Sequence, residues 1–195
     1  MTVFDISAEI TAAKPYPGDP ETTVRRIRSI KNGDMYNLST LSMSLHSGTH
    51  IDAPYHFLDN GLTANEISLS ALMGECAVVS FIGNTDDITG SDIEEAVKPG
   101  TRKVILKTLD KCHLTRSAAA ALISLGVELV GIDSKSIAVE NDEAYIHREM
   151  LMAGVIILEG LTLRHVQSGK YTLVALPLKI DGVEAAPCRA ILMKN

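Results

Sequence analysis

The sequence predicts a mixed α/β fold, with mixed sheets flanked by helices, in a single domain over residues 1–195. Three observations carry that expectation. The first third reads as hairpins, with short runs rich in β-branched residues parted by turn-formers. The middle alternates apolar strand-like runs with capped helical segments, and the last quarter returns to strands.

In chain order, Phe4 to Ile10 reads as a short strand that ends at Ala13-Lys14-Pro15. Tyr16-Pro17-Gly18-Asp19-Pro20 places four turn-formers in five residues and reads as a rigid loop. Thr22 to Ile30 is a second strand, and Asn32-Gly33 supplies a hairpin-type turn. A third strand runs from about Tyr36 to Ile51 and stops near Pro54, which cannot donate to a sheet ladder. Asp59-Asn60-Gly61 marks a turn, and a short helix follows near Ile67 to Leu72. Next comes the strand Ala77 to Ile82. Ser91-Asp92-Ile93-Glu94 reads as a capping box whose helix stops at Pro99-Gly100. Lys103 to Lys107 is the next strand. Thr115 caps a helix that runs to Leu125 and ends at Gly126. Val127 to Ile132 and Val155 to Glu159 are apolar strands of the kind buried on both faces of a parallel sheet. Between them Asp142 opens a helix to about Met152, with Gly154 as its stop. Tyr171 to Ile180 and Arg189 to Lys194 close the chain as strands.

Composition narrows the function classes. A chain of 195 residues, 46% hydrophobic and 22% charged, can bury a core without staples. A net charge of −6 and the lack of a basic stripe argue against nucleic acid. With five tyrosines, three phenylalanines and no tryptophan, a base-stacking platform is not expected either. Cys76, Cys112 and Cys188 lie far apart, which suits reduced thiols in a cytoplasmic protein. The start shows no signal-peptide pattern, and no apolar run reaches bilayer length, so no membrane partner is expected.

The chemistry concentrates in His46-Ser47-Gly48-Thr49-His50-Ile51-Asp52-Ala53-Pro54-Tyr55-His56. Three of the six histidines fall in these eleven residues. In an extended segment, positions 46, 50, 52 and 56 share one face, and Thr40 to Leu45 leads in with the alternation of a half-buried strand. His50 and Asp52, about 6.6 Å apart along a strand, can reach one metal. His46 and His50, about 13 Å apart if extended, need a bend at Gly48 or a second ion bridged by Asp52. Imidazoles with a carboxylate suit Zn²⁺, Mn²⁺, Fe²⁺ or Co²⁺ rather than Ca²⁺. One histidine alone would be read as a satisfied polar group in a turn. Three with an aspartate on one face favour metal or catalytic chemistry. His56, just past the strand end, is placed to carry a proton.

Those residues, as His46-x-Gly48-Thr49-His50-x-Asp52-Ala53-Pro54-x-His56, resemble the signature of the metal-dependent cyclase-family hydrolases. That family includes kynurenine formamidases and isatin hydrolases. Further likeness lies in Asp5-Ile6-Ser7, Tyr16 to Pro20, Gly131-Ile132-Asp133-x-x-Ser136, His147 with Glu159, Leu176-Pro177-Leu178-x-Ile180 and Pro187-x-Arg189-Ala190. The resemblance implies a swivelling β/β/α fold and a homodimer or homotetramer. It also implies one or two divalent ions per chain, Zn²⁺ or Mn²⁺. His46, His50 and Asp52 would be ligands, His147 and Glu159 would complete a second site, and His56 would be the acid/base.

The implied activity is hydrolysis of a linear or cyclic amide C–N bond, as in an arylformamidase. Lactone hydrolysis or dehydration on the same centre, or a metal-binding protein without turnover, are the alternatives. Kynurenine formamidases place a tryptophan before the Pro-Gly-Asp loop. Tyr16 stands there in this chain and is the candidate to meet a substrate ring.

Glu159 is also marked by position, where a buried strand emerges. His147 has no such signal of its own. Cys112-His113 reads as surface and His165 as a solvated loop residue. Asp133 and Ser136 could touch substrate or cap a turn. Neither a Gly-x-Ser-x-Gly elbow nor a phosphate-binding glycine loop is present.

Overall fold

The computed structural model describes residues 1–194. Its elements are β1 (Thr2–Asp5), β2 (Thr23–Arg28), β3 (Leu38–Ser42), β4 (His50–Asp52), β5 (Met73–Ser80), α1 (Gly90–Ala96), β6 (Lys103–Lys107), α2 (Arg116–Ser124), β7 (Leu129–Ile132), α3 (Glu143–Met152), β8 (Ile156–Glu159), β9 (Gly169–Pro177) and β10 (Ala185–Lys194). The main sheet runs β1-β10-β4-β8-β7-β6-β5-β9, and β9 also pairs with β10. That last pairing closes seven strands into a barrel-like ring, with β1 added on β10. Strands β5 to β8 are parallel, and the other pairings are antiparallel.

Closure depends on the length of β10. Its residues 185–187 pair with β4, and residues 188–193 pair with β9. Strands β6, β7 and β8 are buried on both faces, and their side chains divide by the strand period of two. Val104, Leu106, Val130, Ile132 and Ile157 pack under the three helices. Ile105, Leu129, Ile156 and Leu158 point into the ring, against Leu173, Leu192 and Ile51. Each such aliphatic side chain contributes about 1.5–3 kcal/mol by leaving water.

Several local expectations need correction. The third strand does not run unbroken to Ile51. It ends at Ser42, the chain turns through Leu45 to Gly48, and β4 then starts at His50. Gly48 makes this possible at φ +68°. The alternation in Thr40 to Leu45 therefore does not continue into the histidines, and His46 lies in the turn. The first strand is shorter than Phe4 to Ile10, because Ser7 leaves β1 to bridge Leu161. No helix forms at Ile67 to Leu72. Instead a capping box of Thr63 and Glu66 closes one 3₁₀ turn just before it. The box opening α1 is Thr89 with Asp92, two residues earlier than read. Cys112 is fully buried beneath the helices rather than at the surface, and only His113 of that pair reaches solvent.

Among the described residues no helix is long and apolar enough to cross a membrane.

Candidate metal centre

Three elements bring the polar residues together. Antiparallel pairing of β4 with β8 sets His50 opposite Glu159, so a histidine and a carboxylate from distant sequence meet across one rung. Asp52 follows two residues later on the same face. Helix α3 packs over the end of β8 and turns His147 inward. His50, Asp52, His147 and Glu159 are all at most 4% exposed.

The two buried imidazoles are oriented alike. His50 Nδ1 lies 3.1 Å from the Gly48 carbonyl, and His147 Nδ1 lies 2.9 Å from the Glu143 carbonyl. A carbonyl only accepts, so Nδ1 carries the proton in each ring and the neutral ring turns the Nε2 lone pair inward. His147 Nε2 is 3.2 Å from Glu159 Oε1 and 3.7 Å from Asp52 Oδ2. His50 Nε2 is 3.4 Å from Asp52 Oδ1 and 3.6 Å from Glu159 Oε2. From the turn, half-buried His46 brings Nδ1 to 3.0 Å from Asp52 Oδ1.

His46, His50 and Asp52 thus form one group of three, and Asp52, His147 and Glu159 form another, with the ligand atoms of each group within 4.8 Å of one another. Asp52 belongs to both. His50 Nε2 and both Asp52 oxygens are buried without a hydrogen-bond partner. Leaving such groups unpaired is costly, and a divalent cation between them would satisfy all three. The donor set of imidazole and carboxylate therefore fits a divalent metal. Glu159 is held in place separately, because its Oε1 accepts from the Ile137 amide at 2.7 Å.

The turn that carries His46 is clamped to β8. Thr49 Oγ1 donates to the Gly160 carbonyl at 2.6 Å and accepts from the Ala8 amide at 2.8 Å. Gly160 sits at φ +66°, and a Cβ there would fall 2.1 Å from the Gly48 carbonyl oxygen. Only glycine permits that approach.

His56 stands apart. It ends the 3₁₀ turn Pro54–His56, with its ring 4.3 Å from that of His46 and 6.2 Å from that of His147. Burial lowers its pKa below 6.5 against the upward pull of Asp52, and the neighbouring His46 and His147 add to the lowering. A neutral imidazole at pH 7 results. His50 and His147 go the other way. Burial disfavours their charge, but the carboxylates beside them outweigh it, Asp52 for His50 and Glu159 for His147, and lift both to about 9.

That difference has a measurable sign. Both folded pKa values lie above 6.5, so protonation of these rings stabilises the metal-free protein fully below pH 6.5, and this contribution is lost as pH rises through about 9. A metal needs the same nitrogens unprotonated. The Tm of chelator-treated protein should therefore fall between pH 6.5 and 9, while the Tm gain on adding Zn²⁺ or Mn²⁺ should grow over the same window. A metal-induced gain independent of pH would remove the imidazoles from the ligand set.

A cavity of about 410 Å³ lies above the cluster. Phe57, Ala144 and Leu161 form apolar wall, and Phe57 lies against the His147 ring at 5.2 Å. Tyr16 is on one lip and donates its hydroxyl to Glu143 on the other at 2.5 Å. Lys135 Nζ reaches the Pro15 carbonyl at 3.3 Å. Asp133 lines the cavity, yet it is occupied as a turn cap, accepting from the Thr108 amide and hydroxyl and from the Leu109 amide. His165 is exposed and outside the site. Sequence reasoning missed Phe57, Lys135 and Glu184, whose Oε1 lies 3.6 Å from His46 Nε2. Glu184 had no signal to offer, since it arrives through the pairing of Ala53 with the start of β10.

Among solved structures, a potential metal-dependent hydrolase with cyclase activity is 33% identical, with a TM-score of 0.84 over 98% of this chain and 96% of that one. A predicted metal-dependent hydrolase from Bacillus stearothermophilus is 32% identical, with a TM-score of 0.85 over 98% and 97%. Isatin hydrolase A from Labrenzia aggregata is 21% identical at a TM-score of 0.85, a likeness of fold. The family model described as "Putative cyclase" matches residues 4–139, a span that holds His46, His50, Asp52 and His56. With more than half of its length matched by that model, the chain belongs to the cyclase family.

Proposed function

We propose that this chain is a divalent-metal-dependent hydrolase that cleaves a linear or cyclic amide C–N bond, with an aryl formamide or an isatin-like lactam as its kind of substrate. One observation carries the reading: Asp52, buried and unpaired, is shared by two three-ligand groups on the floor of a cavity. His46, His50 and Asp52 would hold one Zn²⁺ or Mn²⁺, and Asp52, His147 and Glu159 a second. A divalent cation in that place supplies Lewis acidity, polarising a carbonyl and acidifying water.

The protein's own groups do the rest. The backbone carbonyls of Gly48 and Glu143 hold His50 and His147 in the tautomer with Nε2 unprotonated. His56, neutral at pH 7 and outside both ligand groups, takes the proton of the attacking water and returns it to the departing nitrogen. A volume of about 410 Å³ suits a small ring compound, and Tyr16 on the lip offers that ring a face.

The test is metal analysis of protein reconstituted with Zn²⁺ or Mn²⁺, alongside turnover of N-formylkynurenine and isatin with and without chelator. Turnover of either that chelator abolishes is the expected result. No metal after reconstitution, or activity indifferent to chelator, defeats the proposal. Bound metal with lactones opened and amides untouched would move the reaction to the ester bond.

A further inference from the structure

The loop that carries Tyr16 has no anchor in either apolar core. From Thr11 to Pro20 no residue is buried, and none belongs to a strand or helix. Side-chain hydrogen bonds hold it to other segments instead. Ser44 Oγ donates to Asp19 Oδ2 at 2.6 Å, Lys135 Nζ to the Pro15 carbonyl at 3.3 Å, and the Tyr16 hydroxyl to Glu143 Oε2 at 2.5 Å. Of the three, only the last fixes an aromatic ring. Tyr16 and Glu143 both line the cavity. The bond to Glu143 raises the phenol pKa to about 12, with burial and the charges of Glu143, Glu140 and Glu159 adding to it. The hydroxyl therefore keeps its proton to donate.

Glu143 has a second contact through its backbone. It is the first residue of α3, and its carbonyl accepts from His147 Nδ1 at 2.9 Å, one turn further on. One residue thus reaches the lip with its carboxylate and a candidate metal ligand with its carbonyl. The cavity in turn offers two aromatic rings. Phe57 is set by packing against the His147 ring, and Tyr16 is set by Glu143.

We infer that Glu143 is a specificity-determining positioning residue. By clasping the Tyr16 hydroxyl it fixes that ring as a ready-made flat face, and so selects aryl amides over alicyclic ones. The inference rests on the amide-hydrolase reading above and adds to it the residue that selects the ring. A tyrosine on an unanchored loop would have to be ordered by each substrate that binds. Ordering it beforehand spares that cost. The clasp contributes no more than the ring contact it preserves, which sets its effect at about two- to tenfold in KM.

The test compares formanilide with N-cyclohexylformamide on metal-reconstituted protein. The two match in ring size and differ in flatness. The readout is the ratio of their KM values, from which any loss common to both compounds drops out. The wild type should favour formanilide. Glu143→Ala should raise the formanilide KM about two- to tenfold relative to that of the cyclohexyl compound. Metal content should not change, because the backbone makes the contact with His147. Glu143→Gln keeps an acceptor and should restore most of the preference. Tyr16→Phe keeps the ring without its hydroxyl and should match Glu143→Ala, and the double variant should be no worse than either alone.

A KM ratio that neither Glu143→Ala nor Tyr16→Phe moves overturns the inference, as do effects that add in the double variant. A rise in kcat for both compounds at a fixed ratio makes the contact a gate and overturns it too. If neither compound is turned over, the hydrolase reading is what fails. Dissociation constants for the same pair, from titration calorimetry, then give the same ratio and decide the role of Glu143 by the same criteria.

Discussion

Asp52→Asn should empty both metal sites at once. Its two oxygens face His46 and His50 on one side and His147 on the other, and neither has another partner. The amide keeps the shape and removes the charge. Even outer-shell substitutions in metal sites cost about 10–100-fold in affinity, and loss of a ligand common to two ions should exceed that. Metal content after reconstitution should approach zero, and turnover should be lost with it. Glu159→Gln is the informative contrast. It alters one three-ligand group and leaves His46, His50 and Asp52 complete. A chain that binds two ions should then retain one. If Asp52→Asn keeps its full metal content while Glu159→Gln loses some, Asp52 is not the shared ligand, and the cluster is two unrelated polar contacts.

How much of this could be read from the sequence depends on which interactions are local. His50 and Asp52 were legible because side chains two apart on a strand share a face, and β4 is such a strand. The cap of α2 was legible because the Thr115 hydroxyl accepts from the Ala118 amide three residues on, whereas Asp142 precedes α3 as read but caps none of its amides and pairs with Arg116 instead. The place of His46 was not, since it depends on a turn that only the close approach of Gly48 to Gly160 permits. Glu159 could be marked as the end of a buried strand, but its rung opposite His50 is a matter of register between segments a hundred residues apart. His147 carried no periodic signal at all and entered by resemblance. The alternation before His46 misled for a different reason. It shows that a strand has two unlike faces, and says nothing about which surface covers the apolar one. Among the described residues none covers it fully, since Leu41 and its cross-strand partner Val24 are 50% and 54% exposed.

His56→Ala separates catalysis from metal binding, and should leave the metal content unchanged while reducing turnover by about 10²–10⁴-fold. At about 1.36 kcal/mol per tenfold, this is roughly 2.7–5.4 kcal/mol of barrier. The ring belongs to neither three-ligand group, so its removal takes no donor from the ions. Its burial, with His46 and His147 close by, holds its pKa below 6.5, which predicts an acid limb in the pH–rate profile. Activity should rise with pH as His56 becomes neutral and able to accept a proton. In the alanine variant that limb should vanish, leaving whatever pH dependence the ligands impose. Because the rings of His56 and His46 are 4.3 Å apart, truncation could also loosen His46, and His56→Asn serves as the control that fills most of the space. If both variants keep metal and lose the acid limb, the histidine is the proton carrier. If metal content falls in proportion to activity in both, His56 is a ligand, and the proton must travel through another group at the cavity floor.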